Sequence, residues 1–124
     1  MYIHKNNNPD RNYVGDCTIR AISEVLKLPW GKVYWDLAIK GYLMGDMPSS
    51  NNVWGTYLSE HGFRREIIPD SCPFCYTVKD FTIDHPHGSY ILATGTHVVA
   101  AVDGNYIDTW DSGNEIPIYY WRET

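Results

Sequence analysis

Apolar residues fall at helical spacing in the first half of the chain and at sheet spacing in the second. Ile19, Ile22, Val25 and Leu26 predict a helix from about Cys17 to Leu28, entered through a bend at Gly15 and capped by the Asp16 carboxylate. Pro29 breaks it. Trp30, Val33, Tyr34, Leu37 and Ala38 then predict a second helix to about Tyr42. Val53, Trp54, Tyr57 and Leu58 predict a third, stopped by Gly62. Phe63 to Ile68 reads as a strand, and Thr77 as the cap of a short helix from Val78 to Asp84. The period then changes to two. Strands are predicted at Tyr90–Ala93, His97–Val102, Asn105–Trp110 and Ile116–Trp121, with Asp103-Gly104 as a two-residue hairpin turn. Residues 1–14 are polar and turn-rich and read as an extended lead-in on the surface. Helices followed by an antiparallel meander make one α+β domain over residues 1–124.

The hairpin turn carries a consequence for chemistry. If Asp103 and Gly104 are the two turn residues, Val99 faces Asp108 and His97 faces Trp110. Faces alternate with period two, so residues 97, 99, 108 and 110 share one face. His97 and Asp108 become diagonal neighbours, about 7–8 Å apart at the backbone, a gap that side chains bridge. Asp111 falls on the opposite face, in the turn-like Asp111-Ser112-Gly113-Asn114, where it caps through a local backbone bond.

A histidine held by a carboxylate is the general base that a cysteine nucleophile needs. Cys17 leads the first helix, where the helix dipole favours thiolate over thiol. Taken singly, Cys17 also reads as a small buried core residue and His97 as a satisfied sheet histidine. Together with Asp108 they complete the nucleophile, base and orienting carboxylate of covalent catalysis.

Gly15-Asp16-Cys17, the strand Thr96-His97-Val98-Val99-Ala100-Ala101-Val102 and the element Asp108-Thr109-Trp110 stand in the order Cys, His, Asp. In this the chain resembles the papain-like cysteine peptidase superfamily, with Asp in place of the family's Asn. Bacterial peptidases of the C39 type, which use Asp, are closer in size, and small phage and prophage proteins are similar in look. The resemblance implies a papain-like fold and a cysteine hydrolase working through a thioester, with Cys17, His97 and Asp108 as its triad. The family places a Gln ahead of the cysteine for the oxyanion hole. This chain contains no Gln, and Asn12 is the nearest amide in a comparable place. Two other functions fit the same residues: a binding or inhibitor protein on the same scaffold, of the kind a phage directs against its host, and an acyltransferase.

Composition narrows the field. The net charge of −5 and the absence of any Lys/Arg run disfavour nucleic acid and favour a neutral or basic substrate, and the resemblance implies that this is a peptide or protein. No apolar run approaches a membrane span, no signal-peptide core opens the chain, and 3 Cys are an odd number, so a cytoplasmic protein is expected. Cys72-Pro73-Phe74-Cys75, with His85 and His87, offers four zinc-type ligands. The expectation here is two ordinary loop thiols and no cofactor, because the ten-residue step to the first histidine is short. Trp54, Tyr57 and Trp110 are the aromatic candidates for a cleft between helices and hairpin, and Tyr119-Tyr120-Trp121 reads as core and sheet edge.

Overall fold

Asp103 and Gly104 both adopt left-handed backbone angles, φ 49° and 81°. This is the geometry a two-residue hairpin turn requires, and glycine takes the second position without strain. In the computed structural model, which describes residues 1–124, the turn joins β4 (Val98–Val102) to β5 (Asn105–Asp108). Val102 pairs with Asn105, Ala101 with Tyr106 and Ala100 with Ile107, the register expected from the sequence. β3 (Ser89–Ala93) lies antiparallel on the other side of β4.

The rest of the sheet departs from a simple meander. β6 (Tyr119–Glu123) returns past β4 and β5 to pair with β3, and β2 (Phe63–Ile67) closes that edge. Tyr119-Tyr120-Trp121 therefore lie on an interior strand rather than at a sheet edge. The lead-in is not merely draped on the surface: β1 (Tyr2–His4) pairs in parallel with β5, Tyr2 against Tyr106. The sheet is thus mixed rather than antiparallel, with order β1-β5-β4-β3-β6-β2.

Four helices flank it. α1 (Cys17–Leu26) ends two residues early because Lys27 turns left-handed, φ 56°. α2 (Trp30–Met44) runs to a left-handed Gly45. α3 (Asn51–Glu60) starts under the Ser50 hydroxyl, which accepts from the Asn52 amide. α4 (Val78–Asp84) is held by the expected Thr77 cap, with Asp80 completing a capping box.

α1, α2 and α3 cover one face of the sheet. Ile22, Leu37, Trp54 and Leu58 pack there with Ile91, Ala100 and Trp121. α4 covers the other face, where Val78 and Phe81 meet Leu92, Val99 and Ala101. Alternate residues of β3 and β4 feed the two layers, which is why their sequences are continuously apolar. No helix is long and apolar enough to cross a membrane.

Candidate active site

Cys17 is the first residue of α1 and packs against the core at the edge of the helical layer. The expected Asp16 cap does not form. Its carboxylate accepts instead from Arg20 Nε at 2.8 Å and from Trp30 Nε1 at 3.0 Å. A buried guanidinium one turn along is a stronger donor than a peptide amide, so it wins the carboxylate. As a result the Cys17 and Thr18 amides make no hydrogen bond to the rest of the protein.

His97 sits in the turn between β3 and β4. Thr94 fixes its backbone: the Thr94 hydroxyl accepts from the His97 amide at 2.9 Å, and the Thr94 amide donates to the His97 carbonyl at 2.8 Å. The imidazole meets Asp108, the last residue of β5, through Nε2 and Oδ2 at 2.6 Å. Nδ1 has no other partner, and the Cys17 thiol lies beside the ring and is coupled to it electrostatically. Trp110 lies over His97 with ring centroids 4.9 Å apart, as the register suggested.

Asp108 is 1% exposed and its carboxylate is saturated. Oδ1 accepts from Arg20 Nη1 at 2.9 Å and from the Thr109 amide at 2.8 Å. Oδ2 accepts from His97 and from the Ser112 hydroxyl at 2.7 Å. Four donors meet the roughly four lone-pair sites a carboxylate offers.

Arg20 and Ser112 were not singled out from the sequence. Asp16 and Arg20 stand four apart on one helix, a pairing signal that was available. Nothing local ties Arg20 to Asp108, 88 residues away, whereas Ser112 stands only four residues from it.

These contacts set the protonation states. Burial pushes the Cys17 thiol up, but the hydrogen bonds to His97 and the Val98 backbone, with the imidazolium charge, bring it below its ordinary value. Burial pulls His97 down, yet Asp108 and the Cys17 sulphur hold it up at about 9. Burial likewise opposes the Asp108 charge, and His97, Arg20 and Ser112 outweigh it, so the carboxyl titrates low. All three shifts act toward a thiolate beside an imidazolium beside a carboxylate, a coupled set that titrates together.

The Cys17–His97 pair lies where two hollows meet. One, of about 380 Å³, is walled by Tyr13, Trp110 and Thr109 and includes Asn12 on its rim. The other, of about 240 Å³, is lined by Ser49, Asn51, Trp54 and Thr94. Both share Gly15, Cys17, Thr96 and His97. Apart from the Cys17–His97 pair, the charged residues lining them, Asp16 and Arg20, are buried against each other. Tyr57 is not part of this cleft; it is buried and donates to Asp36 at 2.6 Å.

No protein-family model, curated protein or solved structure matches the chain.

Of the four residues singled out from the sequence, His97 and Asp108 are hydrogen-bonded, and Cys17 lies beside His97 lining the same two hollows. Asn12 is exposed, its carbonyl accepting from Asn6 Nδ2 at 3.0 Å and its side-chain amide unpaired. The four zinc-type residues are not assembled. Cys72 and Cys75 are not free thiols but joined as a disulfide, and His85 Nδ1 bonds the Phe81 carbonyl at 2.9 Å with its ring stacked on Phe81. No group of three or more potential metal ligands occurs in the structure.

Asp111 takes the role expected of it. Its Oδ1 accepts from the Gly113 amide at 3.1 Å and also from the Tyr106 hydroxyl at 2.6 Å. An Asn side-chain oxygen can accept both bonds. Asp111→Asn should therefore cost about 1 kcal/mol or less in a denaturant melt and leave alkylation of Cys17 unchanged.

Proposed function

We propose that this protein is a cysteine hydrolase acting on an amide, isopeptide or related acyl bond. One observation carries the reading: Cys17 stands beside His97 where the two hollows meet, and His97 is hydrogen-bonded to the buried Asp108 carboxylate. The likeness of the Gly15-Asp16-Cys17 turn, the His97 strand and the Asp108-Thr109-Trp110 element to papain-like peptidases supports it, as does the α+β architecture.

The chemistry follows from the geometry. The Cys17 thiolate attacks the substrate carbonyl carbon, and the electron pair moves to oxygen. The unpaired Cys17 amide donates to that oxyanion, with the free side-chain amide of Asn12 as the second donor within the same hollow. His97 passes its Nδ1 proton to the leaving amine, and the C–N bond breaks to leave a thioester on Cys17. His97, now neutral, takes a proton from water as the water oxygen attacks the thioester. Collapse releases the acid and restores the thiolate and imidazolium. Asp108 holds the ring in place and stabilises its charge throughout. If an amine or alcohol displaces water in the second half, the same residues perform acyl transfer.

The neutral cleft suits uncharged residues on both sides of the scissile bond. Trp110 and Tyr13 favour a flat or apolar group on one side, and hydroxyls and amides favour main-chain recognition on the other.

The test is iodoacetamide alkylation followed across pH in wild type and Cys17→Ala, with an activity-based probe for cysteine hydrolases. Modification is expected at Cys17 alone, at full rate well below the free-thiol value of about 8.5. Turnover should be bell-shaped: rising with the thiolate, then falling near pH 9 as His97 loses the proton it must donate. Alkylation should not fall there, because it needs only the thiolate. A Cys17 that titrates as a free thiol would favour the binding-protein reading instead.

A further inference from the structure

α2 is apolar nearly all round, with only Lys32, Asp36 and Lys40 charged along Trp30–Met44. A helix of that composition is ordinarily buried on every side. Val33, Leu37 and Gly41 do face the core. The opposite side is open to solvent: Trp35 is 65% exposed, Ile39 56%, Tyr42 86% and Leu43 77%, with Met47 at 67% just beyond the helix. At 100° per residue, Trp35, Ile39, Tyr42 and Leu43 fall within one stripe centred on Ile39.

The size of the stripe matters. Aromatic side chains present about 150–250 Å² each, so with the aliphatic residues the face reaches on the order of 600 Å². That is the upper end of about 300–600 Å² for the largest apolar patch on a typical monomer. Buried twice by two-fold symmetry, it gives on the order of 1,200 Å², the lower bound of stable, specific interfaces.

We propose that the outer face of α2 is a homodimer interface, two copies packing α2 antiparallel about a two-fold axis at Ile39. The stripe is self-complementary in that arrangement, whereas a parallel two-fold would set Lys32 against its own copy. Ile39 meets its own copy, and Trp35 of each copy meets Leu43 of the other. Lys32 approaches Asp46 of the second copy, whose carboxylate also accepts from its own Met47 amide at 2.7 Å and Ser50 hydroxyl at 2.8 Å, so opposite charges meet at each end of the seam. Gly31, whose Cα has open space above it, lies under Met47 of the second copy. Lys32 already bonds Asp36 at 2.9 Å, so in the dimer it sits between two carboxylates. The net charge of −5 makes an anionic lipid surface a poor alternative occupant.

The experiment is sedimentation equilibrium of the full chain from about 1 to about 500 μM, the range of weak-to-moderate dimers. Wild type should show a reversible monomer–dimer equilibrium. Ile39→Glu and, separately, Tyr42→Glu, which the register sets against Asp36 of the second copy, should weaken it at least about tenfold, since each buries an unpaired charge at the seam. Both sites are solvent-exposed, so circular dichroism melts should match wild type. Lys32→Glu and Asp46→Lys should each weaken association, and the double variant should recover at least several-fold over either single one. A monomer across the whole range overturns the proposal, as does an Ile39→Glu protein that still dimerises. A double swap no better than the singles removes the antiparallel register. Binding of monomer to phosphatidylcholine vesicles through the same residues, without dimer, assigns the face to lipid and overturns it equally.

Discussion

Asp108→Asn is expected to lower turnover on the order of 10³–10⁴-fold, as loss of the orienting carboxylate does in comparable triads. The reason is specific to this site. Four donors converge on the Asp108 carboxylate, two on each oxygen. An amide keeps one oxygen and turns the other into a donor. If the NH₂ faces His97, it requires an acceptor at Nε2, which puts the ring proton on Nδ1. That tautomer leaves no lone pair to take the Cys17 proton. If the NH₂ faces Arg20 instead, donor meets donor beside a buried guanidinium and the ring orientation is lost by another route. The conflict also explains why an Asp rather than an Asn suits this position: Arg20 and Ser112 claim the lone pairs an amide would lack. The measurement is kcat/KM on an activated ester or peptide substrate, with the alkylation profile of Cys17 beside it. The thiol should titrate nearer its ordinary value in the variant. A mutant that keeps full activity would show that Asp108 is structural and that His97 works without it.

Much of this was legible in the sequence because it is local. Asp103-Gly104 fixes a two-residue turn, and counting from the turn places His97 and Asp108 as neighbours without any knowledge of the fold. Thr77 announced α4, and Pro29 separated α1 from α2, for equally local reasons. The departures are non-local. Nothing in Tyr2-Ile3-His4 says that its partner is β5 or that the pairing is parallel. Nothing in Ile116–Trp121 says that the chain will cross back to β3. Asp16 does not cap α1, because helix-start preferences hold only where the carboxylate has no better donor nearby. Arg20 is that donor, and its second partner lies 88 residues away. The tandem Val98–Val102 reads only as "strand"; that both its faces are buried, and by different helices, depends on α4 crossing beneath the sheet.

Arg20 is where the fold and the site are coupled most tightly, and its replacement is expected to have the largest effect on stability. The side chain is 9% exposed and bridges Asp16, 5% exposed, to Asp108, 1% exposed. Arg20→Gln would leave the buried Asp16 carboxylate without a cation and Asp108 with His97 alone, a change of about 3–5 kcal/mol in buried pairs of this kind. For a chain of this length that corresponds to a melting point lower by roughly 10 °C or more. Arg20→Lys keeps the charge but cannot present two N–H groups at the angle the two carboxylates need, so it should recover only part of the loss. The pH dependence separates this account from simple loss of packing. Burial opposes the Asp108 charge, and His97 and Arg20 are the main groups that nonetheless hold its carboxyl below the ordinary range. A depressed carboxyl adds stability at pH above its unfolded value of about 3.9 and loses it as pH falls through the folded value. Without Arg20 that depression shrinks. The gap between wild type and Arg20→Gln should therefore be widest near neutrality and narrow steadily on acidification below about pH 4. Thermal melts of both proteins from neutral to acid pH decide it. A gap that stays constant with pH would mean that Arg20 acts through the packing of its aliphatic stem alone.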